Sequence, residues 1–148
     1  MAGSKTNAFE TALLELIFEN ADLAAIGDAT GLRGASTAGS FYISLHTADP
    51  TDTGSAAAEA TYTNYARVGI TRAGGSWTTA SGATENTAAI TFPTCGATPN
   101  DITHFGICKS DVETTADLIY HGSLDSTLTV SNGITPEFAA GALDVSED

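Results

Sequence analysis

Residues 46–54 read HTADPTDTG. Two carboxylates, Asp49 and Asp52, stand three residues apart with Pro50 between them. Side chains of this type could hold a hard cation. Calcium, however, takes six to eight oxygen ligands, usually with several carboxylates at close spacing. This stretch offers two, in an order that is not an EF-hand loop. Pro50 holds the preceding Asp49 in extended conformations. Asp-Pro commonly opens a turn, and Gly54 is suited to a positive φ that closes one. The expectation is a turn that ends a strand, not a metal loop.

The three histidines, His46, His104 and His121, each fall in strand-like sequence. A zinc site needs three or four convergent ligands, for which Cys95, His104, Cys108 and His121 are the available set. His104 and Cys108 lie four residues apart on one strand face. The two cysteines nevertheless fit no spaced zinc motif. They are expected to be buried free thiols, with a single bridge between them as the alternative. Serines are plentiful, but none sits in a G-x-S-x-G elbow. Cys108, in GICKS, has no helix N-terminus nearby to lower its pKa. TGLRGAS lacks the glycine spacing and preceding strand of a phosphate loop. No catalytic residue, metal or cofactor is therefore expected, and the chain is not expected to be an enzyme.

The elements that would position these groups follow from periodicity. Residues 1–6, MAGSKT, read as a mobile arm. From Asn7, a plausible N-cap with Glu10 three places on, NAFETALLELIFENADLAAIG has helical spacing. Phe9, Leu13, Leu16 and Ile17 form a stripe, which Leu14 and Phe18 widen. Gly27 is placed as the C-terminal cap, so a helix over 7–27 is expected. It is expected to pack on its own domain rather than on a neighbour. Residues 28–40 are rich in Gly, Ser and Thr and read as loop. FYISLHT (41–47) alternates, with Phe41, Ile43 and Leu45 facing one way and Tyr42, Ser44 and His46 the other. That pattern predicts a half-buried strand. A long polar loop follows over 47–64. Further strands are expected at 65–73, 77–81, 87–92, 102–109, 117–124 and 126–131, with at least one more near the C-terminus. ITHFGICK is apolar on both faces and should be central. Asn132-Gly133 is a strong turn signal.

One helix followed by short strands at near-regular spacing predicts a mainly-β chain. The expected fold is an antiparallel β-sandwich or jelly-roll with one N-terminal α-helix, a single domain over 7–148 with the sandwich at about 41–145. The length of 148 residues agrees: a domain of that size hides roughly 68–70% of its unfolded surface and needs no disulfide or metal to fold.

Charge narrows the function. Lys and Arg total 5, Asp and Glu total 18, and the net charge is −13. Too few cations are present to neutralise phosphates along a nucleic acid, so no direct DNA or RNA binding is expected. An anionic membrane surface would repel the chain. No basic segment followed by an apolar run marks a secretory signal, and no stretch approaches 18 unbroken apolar residues.

The ordered blocks FYISLHTADPTDTG, NYARVGIT, NTAAITFPT, ITHFGICKS, LIYHGSL and FAAGALDVS resemble a family of small virion proteins of tailed bacteriophages. The resemblance covers about residues 7–145. Members are often named tail-fibre proteins, while others look like capsid cement (decoration) proteins on a β-sandwich. Asn100 and Asp101 before THFGI, and the 28–40 loop, depart from the family pattern. The resemblance implies a structural virion protein, made in the host cytoplasm and placed on the outer capsid surface. Its implied partners are the major capsid protein and copies of itself as dimer or trimer. Candidate contacts are Lys5, Phe9 and Leu13 on the arm and helix, and Asp49, Pro50 and Asp52 on the long loop. The alternative is a small tail or receptor-binding module, which would offer Trp77 and Tyr62 or Tyr65 to a sugar, although Trp77 is expected at the edge of the core instead.

Overall fold

The computed structural model describes residues 5–24, 26, 31–32, 34–55, 58–112 and 117–147. They form one helix, α1 (Asn7–Phe18), and nine strands. The strands are β1 (Ser40–His46), β2 (Val68–Thr71), β3 (Trp77–Ala80), β4 (Ala83–Asn86), β5 (Ile90–Thr91), β6 (Asn100–Cys108), β7 (Leu118–Val130), β8 (Glu137–Phe138) and β9 (Asp144–Ser146). The sheets run β2-β1-β6-β7, β3-β4-β9 and β5-β8. The chain is mainly β with antiparallel sheets and one helix, consistent with a β-sandwich. It divides into two compact units: Met1–Gly39 with Thr71–Ile90 and Phe138–Asp148, and Ser40–Ile70 with Thr91–Glu137.

In the first unit α1 is shorter than its periodicity suggests. Thr6, not Asn7, is the N-cap: it is extended (φ −96°, ψ 150°), and its Oγ1 accepts from the Phe9 N–H at 3.4 Å. The helix ends well before Gly27, which lies outside the described residues. Glu19 is the C-cap and Asn20 takes φ +58°. Asn visits that left-handed region more readily than most residues and so ends the helix. Arg72 completes the cap from a later stretch of chain. Its Nε donates to Ile17 O at 2.6 Å and its Nη2 to Leu16 O at 3.0 Å. Those carbonyls have no partner inside the helix, and a cation there also meets the negative end of the helix dipole. Arg72→Ala is expected to lower stability by about 1–2 kcal/mol in urea unfolding; an unchanged midpoint would show that water serves those carbonyls equally well.

Leu14 and Phe18, four residues apart, are the buried face of α1, both at 0% exposure. Phe18 meets Trp77 edge-on, with ring centroids 4.8 Å apart at 64°. The indole N–H donates to Thr71 O at 3.1 Å. The predicted strand at 77–81 is half of a hairpin whose second strand, β4, lacks an apolar pattern in the sequence. A two-residue turn, Ser81-Gly82, joins them with φ +54° and +79°. Both values suit a tight hairpin. The Gly82 N–H also donates to Thr11 Oγ1 on α1 at 2.9 Å.

In the second unit β6 is an inner strand with β1 and β7 on its two sides, as its two apolar faces require. The expected strands at 117–124 and 126–131 are one 13-residue strand, β7. Between the pairs Ile102↔Leu128 and His104↔Ser123, β6 advances two residues and β7 five. The intervening residues 124–127, with Asp125 where the sequence reads as a break, are thus bulge, not loop. Only Val68–Thr71 of the predicted strand at 65–73 is strand. Asn132-Gly133 makes its turn, with Gly133 at φ +84° donating to Cys95 O at 2.8 Å.

Candidate functional site

β1 is buried on both faces, not on one. Phe41, Ile43 and Leu45 enter the core at 7%, 0% and 1% exposure, but Ser44 and His46 are equally sealed at 0% and 1%. Polar residues stay inside only when they find partners. Ser44 Oγ lies 2.8 Å from His46 Nε2 and 3.4 Å from Cys108 Sγ. Cys108 and Cys95 are both free and buried, so no bridge joins them. Burial pushes the Cys108 thiol up, away from the reactive thiolate. Serine, histidine and cysteine together suggest a nucleophile and base, but no substrate reaches a hydroxyl at 0% exposure.

The cover over this face comes from the long loop. Glu59 forms a bridge with His46, Ala60 N–H donates to Leu45 O at 2.8 Å, and Thr47 N–H donates to Ala58 O at 2.8 Å. Arg67 anchors the end of the cover. Its Nε and Nη2 donate to the two Glu59 carboxylate oxygens at 2.8 and 2.7 Å. Its Nη1 donates to Asp117 Oδ2, and to the Ser110 and Val112 carbonyls at 2.9 and 3.2 Å. Tyr65 OH donates to Glu59 and accepts from Leu45 N–H. The YAR block is therefore a polar anchor, which explains why so little of it is strand.

Gly106 on β6 makes room for this packing. A Cβ there would lie 2.5 Å from Leu118 Cδ1, 2.6 Å from Ser44 Oγ and 3.0 Å from His46 Nε2. Gly106→Ala is expected to destabilise by about 1–3 kcal/mol through overpacking, read as a lower melting temperature; an unshifted melting curve would show the face to be loosely packed.

HTADPTDTG itself forms the expected turn. Asp49 Oδ1 accepts from Thr51 N–H at 2.8 Å, Gly54 has φ +63°, and Ser55 N–H donates to Pro50 O at 3.0 Å. Both carboxylates approach one imidazole on β7. Asp49 Oδ1 is 3.3 Å from His121 Nδ1, and Asp52 Oδ1 is 3.7 Å from His121 Nε2. Thr51, Asp52 and Gly54, with β7 residues 118–121, line an open groove of about 340 Å³. Among the described residues, no group of three or more His, Cys, Asp or Glu is placed to hold a metal ion.

The remaining sequence candidates separate. Pro50 is buried, so its ring is not a surface contact. Asp49 and Asp52 are exposed. Lys5 is not free: Nζ pairs with Glu147 Oε2 at 2.8 Å on a half-buried surface. Of the arm, residues 1–4 lie outside the described residues. Phe9 is exposed at 37% and Leu13 half-buried, so the two sit on the flank of α1 rather than its packed face. Of the aromatics offered to a sugar, Tyr65 is half-buried with its hydroxyl bonded to Glu59 and Leu45 N–H, and the other two are buried. Trp77 is 1% and Tyr62 2% exposed, and the Tyr62 hydroxyl donates to Pro93 O at 3.0 Å. Sequence reasoning missed Glu59, Arg67 and Asp117; the only signal was two carboxylates and an arginine in a chain with five cations.

A protein-family model described as Podophage GP4 fiber I protein gp80 matches residues 4–146. No curated protein matches the chain.

Proposed function

The chain belongs to the Podophage GP4 fiber I gp80 family and is a structural protein of the phage virion; on that footing we propose that it is a non-catalytic capsid cement protein, docked on the outside of the major capsid shell. The observation that carries this reading is where its charge lies. Of five cations, Arg67 is sealed in an ion pair, Lys5 is paired with Glu147, and Arg72 serves the end of α1. The surface left to partners is dominated by carboxylates. Such a surface repels DNA and suits contact with other proteins through many modest, symmetry-repeated interactions. A protein that binds only the assembled shell stabilises it by mass action. The loop carrying Asp49 and Asp52 and the exposed flank at Phe9 are the contact candidates. Among the described residues no helix is long and apolar enough to cross a membrane.

The family's description favours a second reading, a small fibre-associated module of the tail. The buried Trp77 and Tyr62 argue against these aromatics as its sugar-binding surface. Purified protein is mixed separately with heads stripped of it and with tails, and the bound fraction is counted. Cement predicts saturable binding to heads at a stoichiometry set by capsid symmetry, with greater resistance of the heads to heat. Deleting residues 1–6 should weaken that binding. Binding to tails alone would replace the first reading with the second.

A further inference from the structure

All three histidines of the chain stand on one face of the four-stranded sheet. His46 and His104 are directly opposite each other across β1 and β6. His121 is opposite Gly106, two residues along from His104. The crowding converges on His46. Its Nε2 is taken up by Ser44 Oγ, and its Nδ1 is buried with no hydrogen-bond partner among the described residues. In either neutral tautomer one ring nitrogen is unanswered. With both nitrogens protonated, Nδ1 carries a buried N–H with no acceptor, inside a cationic ring.

The edge of the cover is pinned on either side of His46, by Ala60 N–H to Leu45 O and Thr47 N–H to Ala58 O. The bridge from His46 to Glu59 is a single isolated pairing, whereas β1 is held to β6 by five paired residues from Tyr42 to His46. We infer that His46 is a proton-operated latch: its protonation breaks the bridge to Glu59 and releases residues 47–55 while the sheet stays folded. Glu59 itself remains tied to Arg67, so the released part is the loop that presents Asp49 and Asp52.

The groups facing His46 set the direction. Burial is the largest influence and lowers its pKa to about 4. Glu59 opposes that, while Arg67, His104 and His121 add to it. Asp49 and Asp52 lie against His121, and Asp117 against Arg67. An opened cover returns His46 to water and to an ordinary value near 6.5. The opened form therefore binds the proton that the closed form refuses. The closed form is fully favoured above about pH 6.5 and loses ground as pH falls toward 4.

Amide hydrogen exchange on the wild-type protein tests this, corrected for intrinsic rates. The Thr47 and Ala60 amides, which bond to Ala58 O and Leu45 O, report the cover. The Ile43 and Ile107 amides report the sheet. Between pH 7 and pH 5 the cover amides should lose protection by about 10–30-fold, with the sheet amides unchanged and the ¹⁵N signals of the His46 ring titrating in step. His46→Gln should make cover protection independent of pH, and His121→Asn should leave the dependence in place. If His46→Gln does not fold, the wild-type comparison of the two amide sets decides. Parallel loss in both sets, no loss in the cover, or a dependence abolished by His121→Asn and kept by His46→Gln would overturn the latch. The inference is independent of which virion surface the protein occupies.

Discussion

Arg67→Met is expected to lower the unfolding free energy by about 3–5 kcal/mol at pH 7. The guanidinium is 3% exposed, and the carboxylates it joins, Glu59 and Asp117, are 9% and 5% exposed. Exposed ion pairs contribute little, but this one is dry, forked and backed by two carbonyls. Removing only the cation leaves two carboxylates buried without it. Melting temperature should fall by roughly 6–20 °C, given about 2–4 °C per kcal/mol for a chain of this size. Arg67→Lys should recover only part, because one ammonium cannot reproduce the fork.

The loss should also depend on pH, with a definite sign. Burial opposes ionisation of Glu59, but the hydrogen bonds from Arg67 and Tyr65 outweigh it and hold the carboxyl below its usual value. The wild-type pair therefore stabilises the fold above the unfolded carboxyl pKa, and that contribution is lost as pH falls through the lower folded value. In Arg67→Met, burial acts unopposed by the arginine and the carboxyl takes up a proton more readily. The difference between the two proteins should accordingly shrink from pH 7 to pH 4.5. Urea unfolding at both pH values checks this; a loss below about 1 kcal/mol at pH 7 would mean that water reaches the pair.

Asn86→Ala is expected to cost about 3–5 kcal/mol. Asn86 is 1% exposed, and its side chain makes three hydrogen bonds. Nδ2 donates to Ala88 O and Ala139 O, both at 2.8 Å, and Oδ1 accepts from Leu143 N–H at 2.8 Å. Its backbone adds a bond from Gly141 N–H to Asn86 O at 2.7 Å, with Gly141 at φ +72°. One asparagine thus ties the NTAAITF block to the FAAGAL block. Truncation leaves the buried Leu143 N–H unpaired at about 1–3 kcal/mol and removes two part-buried bonds, to Ala88 O and Ala139 O, at about 1 kcal/mol each; the three act as a unit rather than additively. Asn86→Asp should be no milder, since a carboxylate cannot donate to the two carbonyls. Exchange of the Gly141 and Leu143 amides should rise by more than the global loss accounts for. Equal rises would place the effect in the whole unit, not in this tie.

Much of the fold is legible in the residues alone. The turn at HTADPTDTG, the turn at Asn132-Gly133, the inner position of β6 and the buried thiols follow from residue type and period. The helix is legible in kind but not in length. Periodicity continues past Phe18, whereas the stop depends on Asn20 adopting a left-handed backbone and on Arg72 arriving from far along the chain. β4 is hidden because its residues, ATEN, carry no alternating apolar signal; a Ser-Gly turn and the neighbouring strands define it.

The candidate site is less legible, for one physical reason. Alternation along β1 reports which side chains are apolar, and from that a half-exposed strand follows. Whether Ser44 and His46 are buried depends on partners far away in sequence. Glu59 comes from the loop, Arg67 lies just before β2, and Asp117 is 50 residues beyond Arg67. The antiparallel β class, the single helix, the acidic surface and the turns can be read from the amino acids in order, because each rests on local period, backbone preference or composition. Packing alone hides Pro50 and gathers the three histidines on one face, because burial and pairing are properties of the packed chain and not of any segment of it.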